Sequence, residues 1–195
     1  MEGSSKRLSA ERRNRIVDSA RHLILRNGFK GTTMEAIARE AGVAKPTLYA
    51  YFPDKESVYA AIVAALTADL QTAFRAAIAG PGDAATRIGN ALAAKYEVIA
   101  DMLAGSPHAG ELYSDEDRRV KAQLQALEKE MADSVVACLT DAGVTDPEAL
   151  GRLVLASTFG VGHKYPLSEI GPAVRALVSR LVAPEISGAA RAGDR

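Results

Sequence analysis

The sequence predicts an all-α protein. Alanine is abundant, runs of Val, Ile and Thr with strict alternation are missing, and apolar residues recur at three- and four-residue steps along the long segments. At 195 residues the chain is long enough to bury a real core as one domain or two small ones, and 48% apolar with 25% charged residues is usual for a globular protein.

Ser9 is a plausible cap for a first helix, with Glu11 in the turn where a negative side chain suits the helix dipole. Ile16, Val17, Ala20, Leu23 and Ile24 form its apolar stripe, and Gly28 after Arg26 is its stop. Thr32 and Glu35 have the spacing of a capping box for a second, short helix whose inward face is Ile37, Ala38 and Ala41 and whose end is Gly42. A third runs from Lys45 to about Tyr51, with Pro46 in its first turn, where a missing N–H costs nothing. Pro53 stops it, and Asp54 caps a fourth from Lys55 to about Ala79, with Val58, Ile62, Ala65, Leu66, Leu70 and Phe74 as its stripe.

After the loop "AGPGD", helices are expected at roughly 84–104 and 116–141, with a short segment about Leu112 between them. The second carries Val120, Leu124, Leu127, Met131, Val135 and Cys138 as a buried seam. Asp146 and Pro147 open a helix to about His163, and another spans Ile170 to about Val182. From Pro184 the Gly/Ala/Arg-rich tail is expected to be flexible. The domains divide as 1–54, with a basic arm at 1–8, and 55–195, with 55–79 as a connecting helix.

Composition narrows the function. The single Cys138 excludes an internal disulfide or a cysteine-based zinc site. "MEGSSKRLSAERR" lacks the apolar core of a secretory leader, and no stretch approaches the roughly 20 apolar residues of a membrane span, so a cytoplasmic protein without a membrane partner is expected. Residues 1–55 hold 11 Lys+Arg against 6 Asp+Glu, while 56–195 hold 13 against 18. That asymmetry suits a basic module that meets a polyanion. No phosphate-cradling glycine loop, zincin spacing or nucleophile elbow occurs, and His22, His108 and His163 are scattered. Neither an enzyme nor a bound cofactor or metal is expected.

Two short helices joined by a glycine turn make a helix-turn-helix, whose second helix can lie in the major groove of double-stranded DNA. Gly42 and Pro46 set the start of that helix and Pro53 its end. Leu48 and Phe52 face inward, leaving Lys45, Thr47, Tyr49 and Tyr51 to present hydroxyls and an ammonium to phosphates and base edges.

Here the chain resembles the TetR/AcrR-type transcriptional regulators. The residues that carry the likeness are "RIVDSARHLILRNGFKGTTMEAIAREAGVAKPTLYAYFPDKESVY", from about Arg15 to Tyr59. The resemblance implies about nine helices, an N-terminal three-helix DNA-binding domain and a C-terminal antiparallel bundle. It implies that Thr33 and Lys55 contact phosphates and that Lys45, Pro46, Thr47, Tyr49 and Tyr51 lie in the reading helix. Ala44 stands where the family commonly has a serine, and Pro46 replaces a more usual small residue, so base preference does not transfer.

The resemblance further implies a small-molecule effector site in the bundle, and because few charged residues stand at its apolar positions a ligand of apolar or weakly polar character is expected. Candidate lining residues are Phe74, Tyr96, Met102, Leu103, Leu112, Tyr113, Met131, Phe159 and His163. Because one short helix reads few base pairs, two half-sites and therefore a homodimer are expected. The family pairs its last two helices with their mates, and the matching stripes are Leu150, Leu153, Val154, Ser157 and Val161, then Val174, Leu177, Val178 and Leu181. The function expected is a repressor released from a near-palindromic operator by its ligand; the rival is a constitutive DNA-binding protein with no effector.

Overall fold

The computed structural model describes residues 2–103, 106–108 and 118–192, and the side chains of all these except 2–5, 103, 118–120, 163, 167 and 187–192. Every regular element in them is a helix: α1 (Glu2–Gly31), α2 (Met34–Glu40), α3 (Lys45–Tyr51), α4 (Lys55–Ile78), α5 (Ala84–Leu103), α6 (Arg118–Asp141), α7 (Pro147–Lys164) and α8 (Leu167–Ala192). The all-α class is as expected. Eight helices stand among the described residues where about nine were expected, and the segment about Leu112 lies outside them. The chain forms two compact units, Met1–Leu66 with Leu103–Gln123, and Thr67–Met102 with Leu124–Arg195.

In the first unit the stripe Ile16, Val17, Ala20, Leu23 and Ile24 of α1 is buried, as are Met34, Ile37 and Ala38 of α2, Leu48 of α3, and Val58 and Ile62 of α4. Gly28 interrupts α1 with φ 76 and ψ 163, a conformation open essentially to glycine. The helix itself starts at Glu2, so Ser9 is not its cap; the Ser9 hydroxyl instead pairs with the Tyr51 hydroxyl at 3.0 Å. The α2 cap is Thr33 rather than Thr32: Thr33 is extended at φ −115 and its hydroxyl accepts from the Ala36 N–H. Thr32 is buried, and its hydroxyl donates to the Gly28 carbonyl at 2.8 Å. Adjacent threonines carry the same capping signature, and the one already bonded inside the fold is not free to cap.

In the second unit the buried residues include Leu70 and Phe74 of α4, Ile88 and Leu92 of α5, Leu127, Met131, Val135 and Cys138 of α6, Val154 of α7, and Ile170, Val174, Val178 and Val182 of α8. Cys138 is 3% exposed, and burial pushes its thiol pKa up. Asp146 caps α7 by accepting from the Ala149 N–H at 3.0 Å, with Pro147 at the first helical position. α8 packs on α7 and is longer than expected, starting at Leu167 and passing through Pro172 and Pro184 to Ala192. A proline inside a helix removes one hydrogen bond and crowds the preceding turn. The buried Ile170, Val174, Val178 and Val182 offset that cost, and the helix continues past Pro184 to Ala192.

Candidate nucleic-acid interface

The turn between α2 and α3 is fixed by glycine chemistry. Gly42 sits at φ 62, the Gly42 N–H bonds the Arg39 carbonyl at 3.2 Å, and the Val43 N–H bonds the Ala38 carbonyl at 3.0 Å. This is a Schellman ending, and it needs the left-handed conformation that glycine adopts without strain. Ala44 then provides no side-chain cap, as its methyl group dictates, and Pro46 stands in the first turn of α3.

Helical geometry divides α3 into two faces. Leu48 is 0% exposed and Phe52, just past the helix, is 3% exposed, with the Arg13 guanidinium 5.2 Å over its ring. Lys45, Pro46, Tyr49 and Ala50 are exposed, and Thr47 and Tyr51 are half-buried. Ala50 was not singled out in the sequence although a helical wheel puts it opposite Leu48 and Phe52. A wheel, rather than a search for hydrogen-bonding groups, finds it; a methyl group can meet the thymine methyl.

Several of the candidate residues are engaged within the protein. Lys45 and Glu35 form an exposed ion pair at 2.5 Å, and this bond raises the lysine pKa and lowers that of the carboxylate. The Lys45 ammonium also lies 5.9 Å from the Tyr49 ring centroid. Tyr51 shares its hydroxyl with Ser9. Lys55 is the most committed: its ammonium donates to the carbonyls of Phe29 at 2.7 Å and Thr32 at 2.9 Å, and sits 4.3 Å over the Phe29 ring. It therefore ties the start of α4 to carbonyls at and just past the end of α1, where the Phe29 carbonyl also accepts from the Thr32 N–H at 3.3 Å. Thr33 is exposed at the start of α2. As the α2 cap, its replacement by alanine is expected to cost about 1 kcal/mol of stability in urea denaturation.

The bundle candidates fall into different environments. Phe74 and Met131 are 1% and 3% exposed. Met102 is half-buried, and so is Tyr96, whose hydroxyl donates to the Thr158 carbonyl at 3.0 Å. Phe159 is 58% exposed. The side chains of Leu103, Tyr113 and His163 lie outside the described residues. Of the two stripes, Val154, Val174 and Val178 are buried within the chain, Leu150, Ser157, Val161, Leu177 and Leu181 are half-buried, and Leu153 is 51% exposed. Among the described residues no group of three His, Cys, Asp or Glu stands close enough to hold a metal ion. One helix, α4, is long and apolar enough to cross a membrane by length and composition, more than the sequence reading allowed, and 44% of its apolar window is buried.

A glycine-terminated helix, a tight turn and a seven-residue helix anchored by Leu48 define a helix-turn-helix protein. Residues 16–62 match the family of bacterial regulatory proteins described as the tetR family. It is 38% identical over 61 residues to the transcriptional regulator RutR of Escherichia coli, covering 31% of this chain and 29% of RutR. It is 30% identical over 111 residues to the transcriptional repressor KstR2 of Rhodococcus jostii, covering 57% and 52%. The matches thus span between about a quarter and half of these relatives, which are transcriptional regulators and not enzymes. In fold, the chain is similar to a TetR/AcrR-family regulator from Thermobifida fusca, with a TM-score of 0.71 at 24% identity, covering 86% of this chain and 96% of that one.

Proposed function

We propose that this protein is a dimeric, ligand-responsive transcriptional repressor that reads double-stranded DNA with α3. The single observation that carries the reading is the exposed edge of α3, Lys45, Pro46, Tyr49 and Ala50, held on a buried Leu48. A hydroxyl, an ammonium and two small apolar groups on a rigid one-helix ridge suit phosphates and major-groove edges. Thr33, Thr47, Tyr51 and Lys55 flank that edge as further contacts. The likeness to both a repressor, KstR2, and an activator, FasR of Mycolicibacterium smegmatis, makes the direction of regulation part of the proposal. So are the homodimer, with Leu153 and Phe159 on an exposed strip of α7 as its first contacts, the effector, and a cytoplasmic location.

α4 is continuous along the chain from one unit into the other, and a ligand held by the second unit acts on DNA binding through it. By linkage, ligand and DNA weaken each other equally. The test is footprinting of the purified full chain on DNA flanking its gene. Two protected half-sites about 34–36 Å apart, or a multiple of that, are expected; protection without sequence preference would abandon the reading.

Lys45 and Glu35 give a finer prediction. Lys45→Ala is expected to lower the slope of log K against log salt by about 1 at every sequence. Glu35→Gln removes a carboxylate beside the phosphates and is expected to tighten binding by roughly two- to fivefold at low salt. Fluorescence anisotropy on one operator fragment measures both, and opposite signs for the two variants are the expected outcome.

A further inference from the structure

α5 changes character halfway along. Between Ala84 and Ala93 it is tightly packed, with Ala84, Ala85, Ile88, Ala91, Leu92 and Ala93 all buried. From Ala94 to Met102 no residue is fully buried, although most are apolar. Lys95, Val98, Ile99 and Met102 recur at the steps that place side chains on one helix face, and each is half-buried. They form a partly open apolar strip about 10 Å long with a cation at one end.

Among the described residues the cation has no bonded counterpart, and Glu128 is the carboxylate whose charge reaches it. Among the described residues no acceptor is hydrogen-bonded to the Lys95 ammonium and no carboxylate pairs with it; its recorded neighbour is the Tyr96 ring, 5.6 Å away. Burial pulls its pKa below the usual lysine value, and the charge of Glu128 only partly opposes that shift. An ammonium beside apolar groups and without an acceptor is costly unless something anionic joins it. The Tyr96 ring stays in place because its hydroxyl is bonded to Thr158 and its edge lies against Gly162.

We propose that this face of α5 binds an amphipathic monoanion, whose head group pairs with the Lys95 ammonium and whose apolar body lies along Val98, Ile99 and Met102. The inference rests on the reading that the second unit takes a small molecule. It sharpens that reading, since an apolar or weakly polar ligand leaves the lysine unmatched. A lysine, as a compact point charge, accepts a carboxylate without demanding the paired geometry an arginine imposes.

The probes are decanoate and 1-decanol, titrated calorimetrically into the full chain and into Lys95→Met, Lys95→Gln and Lys95→Arg. Decanoate is expected to bind at one site per chain, roughly tenfold or more tighter than the alcohol. Lys95→Met and Lys95→Gln, which add no bulk, are expected to erase the preference while leaving decanol binding within about twofold, and Lys95→Arg to keep it. Equal affinity for acid and alcohol, an unchanged preference in both neutral variants, or no binding of either probe overturns the proposal. Operator affinity measured on the same samples separates the two ideas. Lys95-dependent binding of decanoate with no change at the operator keeps the anion site and ends the ligand-responsive reading. Release of the operator by decanol as readily as by decanoate does the reverse.

Discussion

Replacing Lys55 by methionine is expected to lower the unfolding free energy by about 2–3 kcal/mol, measured by urea denaturation of the full chain. Methionine keeps the length of the side chain and removes its charge. The carbonyls of Phe29 and Thr32 then lose the ammonium bonded to them at 2.7 and 2.9 Å, and the Phe29 ring loses the cation above it. Bonds from a charged donor contribute about 1.5–3 kcal/mol each when buried, and partial exposure of Lys55 reduces the total because water can replace the lost donor. Reading Lys55 as a phosphate anchor instead forecasts a salt slope flatter by about 1 with the preferred sequence unchanged. Measuring both quantities on one variant decides between a clasp on the end of α1 and a phosphate anchor.

Gly162→Ala is expected to cost about 1–3 kcal/mol, even though alanine favours helix over glycine by roughly 1 kcal/mol. A Cβ at this position would lie within 3 Å of three Tyr96 atoms, the nearest at 2.4 Å from Cε1. The ring must swing, and its hydroxyl then leaves the Thr158 carbonyl it bonds at 3.0 Å. If that is the cause, Tyr96→Leu relieves the clash, and the double variant is more stable than the sum of the two single changes predicts. Additive effects would place the cost of Gly162→Ala elsewhere.

The bounds of α3 were legible because Gly42, Pro46 and Pro53 punctuate it in ways that no tertiary contact overrides. The start of α2 was misread by one residue because Thr32 and Thr33 differ only in what lies near them after folding. The tie between Lys55 and Phe29 was invisible for the same reason: it joins residues 26 apart, through a carbonyl that any residue could supply. Leu153 and Val154 stand together in one sequence stripe, yet neighbours on a helix point about 100° apart, and one is 51% exposed while the other is 0%. A helix-length list of apolar residues thus mixes two faces. The burial of the Lys95 ammonium was equally hidden, since a lysine at that spacing reads as solvated until its surroundings are known.

Cys138 has a practical consequence. Its sulfur is shielded by the α6 seam and its thiolate is disfavoured, so alkylating reagents are expected to leave it untouched in the folded chain. A thiol introduced in place of Ala50 would then be the fast-reacting one. A fluorophore or spin label could be fixed on the outer edge of α3 without first removing the native sulfur.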